Sequence, residues 1–199
     1  MPFEVSDKGK NNRIEVGSST REKSSGRLIV QGDNNIVVIE EGCTFREALL
    51  RIGSNCSVRI GKSGNLNRLE LYCLESARIS IGQNASCTWY TRIYAHEPAV
   101  ITIGKDCLIA SEVLITASDM HTIYDMNTGE RINGAQDITI SDHVWLAAGV
   151  NVMKGVSIGE NTVIGVGAIV TNSIPNNCVA AGVPARVLRT GTNWRPDLI

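Results

Sequence analysis

The stretch ITISDHVWLAAGVNVMKGVSIGENTVIGVGAIV, residues 138–170, decides the fold. Apolar residues stand six apart through it: Ile140, Leu146, Val152, Ile158, Ile164 and Val170. An α-helix repeats at about 3.6 residues and a strand at about two, so neither produces this period. A fixed short repeat marks a solenoid. The positions four residues after each anchor are small or β-branched as well: Val144, Val150, Val156, Thr162, Ala168 and Ile174. A small residue follows the anchor at Ser141, Ala147, Gly159 and Gly165. This is the pattern of a hexapeptide β-helix. Each hexad builds one flat face of a triangular coil, and three hexads, about eighteen residues, close a turn. The anchor points inward, and the small residue after it is expected to let the chain round the corner.

The rest of the chain repeats more loosely. The phrase apolar–any–Ile–small or acidic recurs at VVIE (37–40), VRIG (58–61), ISIG (79–82), ITIG (101–104), ITIS (138–141) and VSIG (156–159). Its Ile anchors, Ile39, Ile60, Ile81, Ile103, Ile140 and Ile158, are spaced 21, 21, 22, 37 and 18. The early coils therefore carry extra residues. The gap of 37 matches two coils with one residue over, and Ile109 and Ile115 keep the hexad phase from Ile103. The phase is lost from Met120 to Asp137, where the polar run DMNTGERINGAQD (125–137) reads as a loop thrown out from the coil. Long loops on rigid scaffolds are where function concentrates.

Composition agrees with an all-β solenoid of one domain. The 199 residues include 19 Gly and few aromatics, which suits a thin core of stacked Ile and Val. An irregular N-terminal segment or capping coil is expected over 1–25, the β-helix over 26–175 with its loop at about 120–137, and a C-terminal extension over 176–199. Helix signals are nearly absent; FREALLRI (45–52) lies inside the repeat. Nineteen basic residues against 20 acidic ones give no nucleic-acid surface. No apolar run approaches the ~18 residues of a membrane span, and MPFEVSDKGKNN lacks a signal-peptide core. The six cysteines form no CxxC pair and read as buried reduced thiols of a cytoplasmic protein.

Only three histidines are present. His96 and His143 read as ordinary solvated side chains. His121 stands where the hexad phase breaks, in TASDMHTIYD. An imidazole there can take a proton near neutral pH. Asp119 or a backbone carbonyl can steer its ring; the sequence leaves both open. A three-histidine zinc site is not expected, since no HxxxxH occurs and the spacings are 25 and 22. No GxSxG elbow, Walker A loop or GxGxxG occurs either.

The run DMHTIYDMNTGERINGAQDITISDHVWLAAGVNVMKGVSIGENTVIGVGAIVT (119–171), followed by AAGVPARVLR (180–189), resembles the hexapeptide acyltransferases. Among these it is most similar to bacterial capsule and polysialic-acid O-acetyltransferases, on the DMH-any-IY (119–124) and GERIN (129–133) pattern around the loop. The detailed likeness covers roughly the last 80 residues; before residue 100 only the coil pattern matches.

That resemblance implies a left-handed parallel β-helix, a hand that runs against the usual crossover preference. It implies a homotrimer with sites between adjacent subunits, acetyl-CoA as co-substrate, no metal, and a saccharide acceptor. His121 becomes the general base and Trp145 a wall of the CoA tunnel near the thioester. Ala148, Val166 and Thr171 fall along the tunnel, with Arg186 and Arg189 at the CoA phosphates. Two departures stand out: Asn172 where several relatives have Lys, and Ala147 where Gly is common. Acceptor-binding candidates are Arg92 and Tyr94 on the coil before the loop and Tyr124 and Arg131 on the loop; arginine suits an anionic glycan. The reading is an O-acetyltransferase acting on a bacterial surface saccharide. An N-acetyltransferase on an amino sugar, or a non-catalytic β-helix scaffold, are the alternatives.

Overall fold

The computed structural model describes residues 2–198; Met1 and Ile199, the outermost residues of the two expected terminal segments, lie outside them. The chain winds about eight turns into a three-sided parallel solenoid, a left-handed β-helix. Face 1 stacks Phe3–Asp7, Gly26–Val30, Ala48–Ile52, Leu69–Cys73, Thr91–Ala95, Leu114–Thr116, Asn151–Val152 and Ile169–Val170. Face 2 stacks Arg13–Val16, Ile36–Ile39, Ser57–Ile60, Arg78–Ile81, Val100–Ile103, Ile138–Ile140 and Ser157–Ile158. Face 3 stacks Thr44–Arg46, Asn65–Asn67, Ser86–Cys87, Leu108–Ile109, Trp145–Leu146, Val163–Ile164 and Cys178–Gly182, with Ala185–Thr190 added antiparallel at its end.

The Ile anchors form one column. Ile39, Ile60, Ile81, Ile103, Ile140 and Ile158 lie in direct register on face 2, each buried. Face 3 has a matching column running Phe45, Leu66, Cys87, Ile109, Leu146 and Ile164. Because each coil repeats the one beneath it, inward side chains meet other apolar side chains in register, and the core becomes three ladders along the axis. All six cysteines are buried in it as free thiols.

Several features differ from expectation. Ile103 pairs directly with Ile140, so the interval of 37 is one coil plus an excursion, not two coils. The coil also runs past 175: Cys178–Gly182 pairs parallel with Val163–Ile164. At the other end Phe3–Asp7 pairs with Gly26–Val30, so the solenoid takes in the N-terminal residues. A short helix, Ser18–Lys23, stands where the first coil would make face 3. The Glu41 carboxylate of the next coil accepts from the backbone N–H groups of Ser18 and Ser19, both at 2.9 Å, meeting the unpaired donors of that helix start.

The corners turn by a different residue than expected. The left-handed backbone falls three residues after the anchor, at His143 (φ 53°), Gly149 (70°), Asn161 (59°) and Gly167 (67°). Asn and Gly tolerate that region best. The glycine directly after the anchor serves coil-to-coil approach: a Cβ on Gly159 would stand 2.3 Å from the backbone nitrogen of Asn176.

Candidate active site

The excursion leaves face 1 after Thr116 and rejoins face 2 at Ile138. Its base is closed by the Gln136 N–H donating to the Ala117 carbonyl (3.0 Å). Its arm is a small hairpin: Tyr124 bridges Arg131 antiparallel, and the Ile132 N–H donates to the Ile123 carbonyl. The Asp125 carboxylate folds the tip by accepting from the N–H groups of Asn127 and Thr128.

His121 sits at the root of this arm with its side chain exposed. Its backbone is pinned. The His121 N–H donates to the Asp119 carbonyl (2.7 Å), and its carbonyl accepts from Asn133 Nδ2 (2.7 Å). Asn133, nearly buried, is the hub: Nδ2 also reaches Asp119 Oδ2 (2.9 Å), and Oδ1 accepts from the Ile123 N–H and from Arg131 Nε. Lys154, from the next coil, donates to Asp119 Oδ2 (2.5 Å) and to the Asn133 carbonyl (2.8 Å). Arg131 pairs with Glu97, which also accepts from the Ser118 hydroxyl.

Charge follows from these contacts. Arg131 and the Ser118 hydroxyl hold the Glu97 carboxyl down at about 2. Lys154, then Asn133, lowers that of Asp119. Asp119 therefore spends its carboxylate on Lys154 and Asn133, and no hydrogen bond joins it to the His121 ring among the described residues. Lys154, Asn133 and Glu97 were not singled out from the sequence. Their roles depend on contacts across 14 to 35 residues that no local motif announces.

Trp145 lies on face 3, with its ring 5.8 Å from that of Trp194. The C-terminal tail folds back so that Trp194 stacks on His143 at 4.4 Å and 11°, and its indole N–H donates to the His143 carbonyl (2.7 Å). His143 is thus no free solvated side chain. It occupies a corner rung, with Nδ1 3.0 Å from Asn161 Oδ1. Trp194 was missed because nothing local marks its return across 51 residues.

Ala148 and Val166 form successive rungs of the corner between faces 3 and 1, joined by the Gly167 N–H donating to the Ala148 carbonyl (2.8 Å); Val166 is 77% exposed. Arg186 and Arg189 are exposed on the antiparallel strand at the end of face 3. Thr171 lies apart from these, on the corner between faces 1 and 2 below the His121 arm. Arg92 and Tyr94 point outward from face 1, between the two groups. The Tyr94 hydroxyl donates to Glu70 (2.8 Å), its ring stacks on Tyr72 at 4.9 Å, and burial followed by the Glu70 carboxylate pushes its ionisation up. Tyr124 is 60% exposed on the arm, while Arg131 has its guanidinium on Glu97.

In one chain, then, the residues fall into two groups. His121, Tyr124, Arg131 and Thr171 flank the corner between faces 1 and 2. Trp145, Ala148, Val166, Arg186 and Arg189 lie on face 3 and its corner with face 1. His121 and Trp145 share no contact within the chain. No group of three or more His, Cys, Asp or Glu with metal-binding proximity occurs among the described residues.

No family model and no curated protein matches this chain. Solved structures do. The polySia-specific acetyltransferase NeuO superposes with a TM-score of 0.94 and 34% identity, over 98% of this chain and 90% of that one. The polysialic acid O-acetyltransferase OatWY superposes at 0.82 and 30%, over 98% and 93%. A hexapeptide-repeat acetyltransferase from Vibrio cholerae, solved with acetyl coenzyme A, matches at 0.53 and 22%, over 66% and 70%, a likeness of fold. Since identity and shape with the first two enzymes persist along nearly the whole chain, loop and C-terminal strand included, this protein is an acetyltransferase and belongs to the hexapeptide-repeat acetyltransferase family.

Proposed function

We propose that this acetyltransferase moves the acetyl group of acetyl-CoA to a hydroxyl of a sialic-acid-containing capsule saccharide. The observation that carries the reading is the end-to-end match to two enzymes that act on polysialic acid. His121 acts as general base. It takes the proton of the acceptor hydroxyl as the oxygen attacks the thioester carbonyl. The tetrahedral intermediate collapses, the C–S bond breaks, and the CoA thiolate takes the proton back from the imidazole. A base so placed contributes about 10²–10⁴-fold. Holding both substrates in one cleft supplies the rest without a covalent enzyme intermediate.

Trp145 walls the thioester, with Ala148, Val166 and Thr171 along the pantetheine path. Arg186 and Arg189, exposed and with no carboxylate partner among the described residues, meet the CoA phosphates, for which the guanidinium fork is suited. Tyr124 and Arg131 stand on the acceptor side. His121 and Trp145 lie on different sides of one chain, so the working site needs a second copy, and a closed trimer supplies three such sites. A cytoplasmic setting follows from the co-substrate.

The test is acetyl transfer from acetyl-CoA to a panel of polysialic acid, neutral glycans and amino sugars, with products read by mass and by lability to mild base. The reading predicts a base-labile ester on the sialic-acid polymer, lost in His121→Ala. A base-stable amide on an amino sugar would replace it with N-acetylation, and no transfer to any acceptor would refute it.

A further inference from the structure

The chain beyond Thr190 climbs back along the corner between faces 2 and 3. That corner is a column of residues with left-handed backbone, one to a coil, running Ser63, Asn84, Asp106, His143, Asn161 and Asn177. Its last three rungs are tied together by side chains: His143 Nδ1 lies 3.0 Å from Asn161 Oδ1, and Asn161 Nδ2 donates to Asn177 Oδ1 (2.9 Å). The tail fastens to the same rungs. The Thr192 N–H donates to the Asn177 carbonyl (2.9 Å), and two residues on the Trp194 indole N–H reaches the His143 carbonyl (2.7 Å).

His143 is the one ring among these six. The turn itself needs no ring, since Asp106 and Asn161 make it on the rungs to either side. What the imidazole adds is a flat surface, and Trp194 lies on it, 4.4 Å away and 11° from parallel. The tail's tryptophan thus lands on the rung of this column that can stack with it.

Trp145 stands two residues beyond His143 on the same coil, half-buried on face 3. Its ladder neighbours Leu108 and Val163 bound the indole along the solenoid axis. They do not bound it across the face, where an outward side chain of a strand has more than one common rotamer. Trp194 closes the side toward the corner, with its ring 5.8 Å from that of Trp145 and tilted by 49°.

We propose that Trp194 is a positioning residue for the donor side of the site: held by the ring and the carbonyl of His143, it sets the orientation in which the Trp145 indole walls the CoA path. This rests on the reading of Trp145 given above and adds what fixes it. A wall already in place receives the cofactor directly, whereas a loose indole has to be ordered as the cofactor binds, which weakens affinity. The wall is needed equally before and during acetyl transfer, so its loosening acts on KM and not on kcat.

Acetyl-transfer kinetics and calorimetric titration with CoA test this on Trp194→Ala, Trp194→Phe, His143→Asn and the double variant of Trp194→Ala with His143→Asn. Trp194→Ala should raise the KM for acetyl-CoA and the Kd for CoA about three- to tenfold, with kcat within about twofold of the parent. His143→Asn, which gives this rung the residue of the next, should shift both in the same direction. The double variant should lose no more than Trp194→Ala alone, because both changes free the same indole. Trp194→Phe keeps a ring on His143 and should recover most of the affinity. An unchanged KM in Trp194→Ala, even with a lowered Tm, would overturn the proposal, and so would losses that multiply in the double variant. Titration of Trp145→Ala separates the two readings. If it binds CoA as the parent does, the tryptophan wall fails and the proposal with it; if it binds weakly while Trp194→Ala binds as the parent does, the tail's part alone is overturned.

Discussion

The two edges of face 1 are held by opposite means. The arm that carries His121 is an excursion, tied down mainly by polar contacts: Asn133 to the His121 carbonyl and to Asp119, Lys154 to Asp119 and to the Asn133 carbonyl, Glu97 to Arg131 and Ser118. The corner of Ala148 and Val166, with Trp145 on the face beside it, belongs to the regular coil, where backbone ladders fix the rungs. On the proposed mechanism, the group that approaches an acceptor and shuttles a proton sits on the part with separately breakable anchors. The residues proposed to line the cofactor path sit on the rigid part. Changes on the arm side are therefore expected to act on turnover, and changes on the coil side on cofactor affinity.

The sharpest break of that contrast is His121→Ala. It should lower kcat by at least ~10²-fold with CoA binding nearly intact, because the ring acts on the acceptor proton. Steady-state kinetics with CoA titration checks this, and activity within a few-fold of the parent would remove His121 as the base. On the coil side, Arg189→Ala should raise the KM for acetyl-CoA about tenfold with kcat little changed. A charge-assisted contact worth ~1.5–3 kcal/mol is made equally in ground and transition states. Added salt should shrink the difference, and an unchanged KM would place the phosphates elsewhere.

Lys154→Met probes the anchors. Removing the cation leaves Asp119 and the Asn133 carbonyl without their partner from the coil, so the arm should open more often. The expectation is a loss of roughly three- to tenfold in kcat, an unchanged KM for acetyl-CoA, faster hydrogen exchange over 117–137, and partial rescue by Lys154→Arg. Equal exchange in variant and parent would show that the arm does not depend on this lysine.

The smallest effect is that of Glu97→Gln. Glu97 sits at about 2 in the folded chain, against an ordinary carboxyl value of about 4.3. A depressed carboxyl stabilises the fold in full above its unfolded value, and that contribution is lost as pH falls through the interval towards about 2. The pair is partly exposed and screened by solvent, so the loss in Tm should be small. The variant should melt slightly below the parent at pH 6, and the two should converge near pH 2. A gap that persists at pH 2 would mean the carboxylate's charge is not what matters.

Much of this contrast was legible in the sequence, on the coil side above all. The hexads from Ile140 to Val170 predicted the ladders because each anchor meets its own kind one coil on. The early coils were readable only through their Ile columns, since registers of 21 to 23 residues leave no hexad period. The excursion was visible as lost phase, and His121 as the imidazole within it. What holds His121 was not visible. Lys154 occupies an ordinary corner of a hexad, Asn133 an ordinary loop, and both act through partners far away in the chain. Trp194 escaped for the same reason. The corner rule failed because spacing cannot separate a glycine needed for its φ, as at Gly149, from one needed for close approach, as at Gly159.

In the proposed assembly one working site takes His121 from one copy and Trp145 from another. The most direct test co-expresses His121→Ala and Trp145→Ala chains at equal dose, after each alone has been shown to be inactive. In randomly mixed trimers, about a quarter of the sites receive the intact histidine from one chain and the intact tryptophan from its neighbour. Acetyl transfer should recover to about that fraction of the parent's rate. Mixed trimers as inactive as either variant alone would contradict it, because a site built within one chain can never regain both residues.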